Sequence, residues 1–198
     1  MGGFKHPEFL LPANFGFHSI GDMADYPVEK WSDGVIAFLN AIPDEVFVLM
    51  LEDYWLTRKV DTEAVGMLYR YMLQFKSVIK MDLCGDRLYA FNMKSYGAVN
   101  RIDLVLSDRA SPYHMSLMVG LWRKEHLLRH LIPGESPWDV EITGTRRLSE
   151  DRNVDVLGTR QWPVRHTLAY RNGKPENPNL SQLDPGDVQE MRERGYIS

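Results

Sequence analysis

The chain has one cysteine, Cys84, in 198 residues. A lone thiol forms no internal disulfide, so packing must hold the fold, and a reducing, cytoplasmic setting suits such a chain. No apolar run approaches the roughly 20 residues that cross a bilayer. The N-terminal MGGFKHPEFLLPANFG lacks a long apolar core and carries Pro and Asn, so it does not read as a secretory signal. Excess positive charge is missing too: 23 Lys and Arg face 27 Asp and Glu, a formal net charge of -4, so no global field advertises nucleic acid. There is no Walker A loop, no Rossmann glycine fingerprint, no G-x-S-x-G elbow and no C-x-x-C pair. In a cytoplasmic chain the N-x-S at Asn179 never meets glycosylation machinery.

What is present is an ordinary globular composition, 44% hydrophobic and 25% charged, long enough for one domain with a sizeable core. The reading is one domain over 1–198, with an irregular lead-in at 1–30 and a C-terminal loop and helix at 175–198. Trp31 to Ile42 reads as a helix capped by Ser32 or Asp33, with Val35, Phe38, Leu39 and Ile42 on one face. VFVLML does not alternate and reads as a strand buried on both faces. Asp61 caps a second helix whose Val65, Leu68, Tyr69, Met72 and Leu73 repeat at helical spacing. VIKMDLC, RLYAF and RIDLVLS read as strands, with KSYGAVN as a bend. YHMSLMVGLW reads as a strand ending at Trp122, RKEHLLRHLI as a short helix, and ESPWDVEITGTRRL as a helix with Ser136 as cap and Pro137 in its first turn. VDVLGT and PVRHTLAY are late strands, NGKPENPNLSQ a polar loop, and DPGDVQEMRERG a helix from Asp184 to a stop at Gly195. This order predicts an α/β fold, a mixed, mostly parallel sheet flanked by helices.

VFVLMLEDYWL, Val46 to Leu56, ends an apolar run on two acids, Glu52 and Asp53. In open α/β sheets ligands bind beyond the carboxyl ends of strands, and hard oxygen ligands there suit Mg²⁺ or Mn²⁺ holding a diphosphate. The residues alone favour the plainer account, a strand reaching water. PWDVE offers Asp139 and Glu141 as general bases. Ser136 and Asp139 also make a near capping box, and the two acids lie about 200° apart on an ideal helix. Arg146, Arg147, Arg160, Arg165 and His166 could bind phosphate or simply face solvent. His126 and His130 have the spacing of zinc helices, but Leu127 stands where the motif needs Glu, so a surface face fits better.

Three phrases in order, WSDGVIAFLNAIPDEVFVLMLEDYWLTRKVD, SLMVGLWRKEHLLRHLIPGESPWDVE and VLGTRQWPVRHTLAYRNGK, resemble GT-A glycosyltransferases, more narrowly a bacterial and phage nucleotide-sugar transferase group. The resemblance covers about Trp31 to Lys174. It implies that Glu52 and Asp53 correspond to the Asp-x-Asp-like motif that binds metal and donor diphosphate, although Tyr54 follows where the motif has a separated acid. It further implies Glu141, then Asp139, as the inverting base, Arg160 and Arg165 as phosphate contacts, His166 as a late metal or phosphate contact, and Trp122 and Trp138 as walls of the acceptor site. MGGFKHPEF looks like the tail of the first nucleotide-binding unit, which implies a chain truncated at its N-terminus. The function so implied is transfer of a sugar from a nucleotide-sugar to a hydroxyl acceptor, with Mg²⁺ or Mn²⁺. The acceptor would be a saccharide, or modified nucleic acid if the chain is of phage origin. Two other readings stand beside it. One is a non-catalytic binding module on a decayed transferase fold, oligomerising to cover a sheet edge. The other is a metal-dependent phosphoryl-transfer enzyme or nuclease using Glu52, Asp53 and Asp139.

Overall fold

The computed structural model describes the chain apart from Phe9, Ala90, Phe91, Asn172, Gly173, Tyr196 and Ser198. In chain order the strands are β1 (Gly2–Gly3), β2 (His18–Ser19), β3 (Val46–Leu49), β4 (Tyr54–Leu56), β5 (Val78–Asp82), β6 (Lys94–Val99), β7 (Ile102–Leu106), β8 (Gly120–Arg123), β9 (Asp155–Thr159), β10 (His166–Leu168), β11 (Tyr170–Arg171) and β12 (Lys174–Pro175). The helices are α1 (Trp31–Ala41), α2 (Thr62–Gln74), α3 (Lys124–His130), α4 (Pro137–Glu150), α5 (Asn177–Leu180) and α6 (Pro185–Glu193). Six strands form one sheet in the order β3-β8-β5-β9-β7-β6.

The chain is therefore α/β with a mixed sheet between helices, but that sheet is not mostly parallel. Only β5 and β9 run parallel; β3–β8, β8–β5, β9–β7 and β7–β6 are antiparallel. The physical reason is the β6–β7 hairpin together with the connection from β7 to β8. The hairpin turns the chain, and the crossover, made without a helix, keeps the sense of β7, so β8 enters between β3 and β5 running opposite to both.

Two apolar layers clamp the sheet. On one face Ala64, Leu68 and Met72 of α2, spaced by one helical turn, pack on Met81, Leu104, Leu121 and Leu157. On the other, α1, α3 and α4 contribute Leu39, Leu127, Val140 and Leu148 against Ile79, Trp122 and Val156. Each such Leu, Ile, Val or Met side chain stabilises the fold by about 1.5–3 kcal/mol when fully buried. A third, smaller cluster ties Ala169, Leu180, Leu183 and Val188 to Trp55.

Several sequence expectations change. VFVLML is not buried on both faces: β3 pairs only with β8 and is an edge strand, leaving Val48 42% exposed. Its apolar run persists because Val46 and Met50 meet the α2 layer while Phe47, Leu49 and Leu51 meet the opposite one. RLYAF is not a strand where described, since Gly85–Tyr89 is a 3₁₀ turn; Ala90 and Phe91 lie outside the described residues. KSYGAVN is a strand, β6, and the reversal falls at Asn100, whose φ of 52° is left-handed. NGKPENPNLSQ contains β12 and α5. Ser32 and Asp33 do not cap α1, which begins at Trp31. Instead the Ser32 hydroxyl donates to the Ile132 carbonyl at 2.7 Å and accepts from the Glu135 N–H at 2.9 Å, while Asp33 accepts from the Gly134 N–H at 2.6 Å.

The caps of the other long helices are as the sequence implied. Asp61 accepts from the Ala64 N–H at 3.0 Å, and Asp184 caps α6. Ser136 Oγ accepts from the Asp139 N–H at 3.2 Å, and Asp139 accepts from the Ser136 N–H at 3.2 Å, a complete capping box with Pro137 in the first turn. Replacing Ser136 by Ala should cost about 1 kcal/mol, read as a lower urea midpoint at unchanged slope.

Candidate functional site

The site is built from strand ends. Leu49 lies opposite Gly120, Gly120 opposite Asp82, and Asp82 beside Gly158. One edge of the sheet thus gathers the carboxyl ends of β3, β5 and β9 and the start of β8. Just beyond this edge run the Glu52–Asp53 turn, Leu83–Cys84, residues 160–165 and Leu117–Val119. Main-chain bonds lace these segments together. The Leu83 N–H donates to the Val119 carbonyl at 3.1 Å, Val164 to Leu83 at 3.0 Å, Thr57 to Arg165 at 3.0 Å and Ala169 to Asp53 at 2.7 Å.

Glu52 is exposed and Asp53 partly buried. Asp53 Oδ1 is buried with no hydrogen-bond partner among the described residues. Burial first, then the neighbouring Glu52 charge, raises the Asp53 pKa above the usual carboxylate value. The same turn leads into β4, which pairs with β10 in an antiparallel ribbon that sets His166 opposite Leu56. The His166 ring packs edge-on against Tyr54, with centroids 4.7 Å apart. The acids therefore precede one end of the ribbon, and His166 lies at the other. Among the described residues, no three His, Cys, Asp or Glu side chains converge as a metal site. Even so, the pair of hard carboxylates, one with an orphaned buried oxygen, fits a divalent cation that takes its remaining ligands from water or substrate.

Glu141 reaches the same edge from α4. Its Oε1 accepts from the Leu117 N–H at 2.7 Å. One turn on, Thr145 Oγ1 accepts from the Met115 N–H at 3.0 Å, and after another turn Ser149 Oγ donates to the Arg109 carbonyl at 2.7 Å. This stripe of Glu141, Thr145 and Ser149 bonds the main chain that leads from β7 to β8. It replaces a neighbouring strand, which is why most of YHMSLMVGLW is irregular and only Gly120–Arg123 forms β8.

The remaining predicted residues divide. Asp139 is committed to the capping box, and the Ser136 hydrogen bonds hold its pKa below the usual value, a poor property in a base. Trp138 is 55% exposed on the same turn. Trp122 is a correction: it is 0% exposed and packed in the core with Lys80 over its ring, because the α1, α3 and α4 layer covers that face of β8. It walls no cleft. Arg160 and Arg165 are exposed on the segment beyond β9. Arg165 lies over the Trp162 ring, 5.3 Å from its centroid, and that ring rests on Gly85, where any Cβ would overlap it. Arg146 is exposed, whereas Arg147 binds Glu135 through both terminal nitrogens at 2.7 Å and so braces α4. His126 and His130 hold no zinc-like set among the described residues; His130 is buried beside Asp151.

Sequence reasoning missed a buried polar network. Lys80 Nζ lies 2.5 Å from Asp82 Oδ1, and Arg87 Nε 2.6 Å from Asp82 Oδ2. Arg87 continues to Ser107 Oγ at 3.1 Å and the Tyr113 carbonyl at 2.6 Å, and Ser107 Oγ lies 3.0 Å from His114 Nδ1. A signal was available: Lys80 and Asp82 stand two apart, hence on one face, in an otherwise apolar strand. Burial first, then Arg87 and Lys80, lowers the His114 pKa from 6.5 to about 3. The fold thus favours neutral His114. Its contribution is whole above the unfolded value of 6.5 and declines as pH falls towards 3. The pKa values of His126 and His130 are lowered as well and act in the same sense. The urea midpoint should fall between pH 6.5 and 5, and should fall less steeply in His114→Gln.

In comparisons with known proteins, no family model, no curated protein and no solved structure matches this chain.

Proposed function

We propose that this protein transfers a sugar from a nucleotide-sugar donor to a hydroxyl acceptor with inversion. The observation that carries the reading is the Glu52–Asp53 turn. There an exposed acid and an acid with an orphaned buried oxygen stand past the carboxyl end of a strand, at the sheet edge that Glu141 also reaches. The donor diphosphate would lie over this turn, with exposed Arg160 and Arg165 as cationic contacts. Glu141 would take the proton of the acceptor hydroxyl as that oxygen attacks the anomeric carbon. Glu52 and Asp53 would hold Mg²⁺ or Mn²⁺, with water and the diphosphate as the remaining ligands, and the ion would supply charge neutralisation for the nucleotide leaving group.

Calorimetric titration of UDP- and GDP-sugars, with and without Mn²⁺, tests the proposal. Binding that weakens in Asp53→Asn supports it; failure of every donor to bind in either condition overturns it. Donor binding without transfer to any hydroxyl would leave the second reading, a non-catalytic binding module. The structural engagement of Asp139 in its cap and of Glu141 with Leu117 favours that second reading.

A test independent of turnover follows from Asp53. A carboxyl whose folded pKa is raised contributes stability below its unfolded value of 3.8 and loses that contribution as pH rises through the folded value. At neutral pH, without metal, Asp53→Asn should therefore melt no lower than the parent chain. Mn²⁺ should raise the melting temperature of the parent and leave that of Asp53→Asn unmoved.

A further inference from the structure

At the opposite end of β8 from Gly120 lies a cavity of about 350 Å³ lined by Glu45, Lys76, Arg123, Lys124 and Glu125. We propose that it is a binding site for a small oxyanion, a phosphate or carboxylate group, with Arg123 as its principal contact. The inference is independent of the reading given above for the other edge.

Arg123 is 3% exposed, yet no carboxylate lies within ion-pair distance of it among the described residues. The contrast with the other buried cations is direct, since Lys80 and Arg87 share Asp82. Arg123 has a single hydrogen-bond acceptor among the described residues, the Met72 carbonyl, which takes Nη2. That carbonyl belongs to the last turn of α2, so the helix end offers a partial charge of about -0.5 against a full positive one. Nε is buried and has no acceptor among the described residues. A guanidinium out of water with an unused donor is a costly arrangement for an isolated fold. A cavity beside it gives room for the missing partner.

The other lining groups fit this assignment. Lys76 is exposed just past the end of α2 and adds a second cation at the mouth. Lys124 is already committed, donating from Nζ to the Ile42 carbonyl at 2.7 Å. Glu45 and Glu125 are both exposed, and Glu125 faces His126 at 3.5 Å. The acids thus stand at the solvent side and the unpaired guanidinium at the buried side. That order suits a small anion held by its oxygens and disfavours a large polyanion lying across the mouth.

The experiment uses the whole chain, labelled with ¹⁵N-arginine, titrated with inorganic phosphate and separately with succinate against sodium chloride of equal ionic strength. The Arg123 Nε–H resonance, identified by its absence in Arg123→Lys, should shift saturably with at least one of the two anions. Succinate alone would mark a carboxylate site, and phosphate alone a phosphate site. Arg123→Lys keeps the charge but loses the fork, and in calorimetric titration with the same anion it should bind about tenfold more weakly. Lys76→Gln, at an exposed position, should weaken binding up to about fivefold. A resonance that moves with neither anion, or that moves equally with chloride, overturns the proposal. So does undiminished affinity in Arg123→Lys.

Discussion

Asp82→Asn should lower the unfolding free energy by about 3–5 kcal/mol, a large share of the roughly 5–15 kcal/mol that holds a typical domain folded. Asp82 is 0% exposed and its two oxygens bind different cations, Lys80 and Arg87, at 2.5 and 2.6 Å. The amide keeps the shape of the side chain and removes the charge that bridges them. Arg87 would retain Ser107 and the Tyr113 carbonyl, and Lys80 would retain the Trp122 ring face at 5.2 Å. Those are neutral partners, and two buried positive charges would then repel across a dry interior. Lys80→Met makes the useful comparison. It leaves the Asp82–Arg87 pair intact and neutral overall, and replaces a buried ammonium by an apolar chain of similar length, so it should cost far less. The order of the two effects in urea unfolding is the test. If Asp82→Asn costs less than about 1 kcal/mol, the network is not electrostatically coupled as its geometry implies.

The features legible in the sequence were those governed by local rules. Asp61, Ser136 with Pro137, and Asp184 cap helices because a side-chain oxygen two or three residues before a free N–H can satisfy it wherever the helix sits. Strand partners obey no such rule. The run VFVLML does not record that β3 has a neighbour on one side only, and the segment from Ser107 to Val119 does not record that it crosses the sheet. A mostly parallel sheet was the natural inference from alternating strands and helices; antiparallel β8, inserted between β3 and β5, overturned it. Trp122 failed for a related reason. Its neighbours in sequence end a strand, but β8 lies between the two apolar layers, with Leu121 in one and Trp122 in the other, so both of its faces are interior. The acids at Glu52–Asp53 were legible as a strand-end pair, whereas the orphaned oxygen on Asp53 is a tertiary fact. The stripe of Glu141, Thr145 and Ser149 shows as a polar helix face in the sequence, but its partners are main-chain groups, which carry no sequence signature.

That stripe makes Glu141 the residue on which the proposed chemistry turns, and Glu141→Gln separates its two roles. The Leu117 N–H that donates to Oε1 at 2.7 Å can donate equally to the amide oxygen of Gln. The variant should therefore fold with a urea midpoint close to that of the parent chain. An amide takes no proton from an acceptor hydroxyl, so sugar transfer should fall by about 10²–10⁴, the usual contribution of a positioned base. Glu141→Ala removes the acceptor altogether and leaves the Leu117 N–H without it, which should cost about 1–3 kcal/mol as well as activity. Asp139→Asn supplies the control: it disturbs the cap, and turnover in the folded fraction should persist. The measurements are nucleotide release from the donor in the presence of acceptor and, on the same preparations, urea unfolding. If Glu141→Gln transfers sugar at the parent rate, the carboxylate is a brace for the crossover and the base role fails. If transfer falls in Glu141→Ala but not in Glu141→Gln, Glu141 is a positioning residue that sets the start of β8. Only a loss in Glu141→Gln at unchanged stability assigns the proton to this carboxylate.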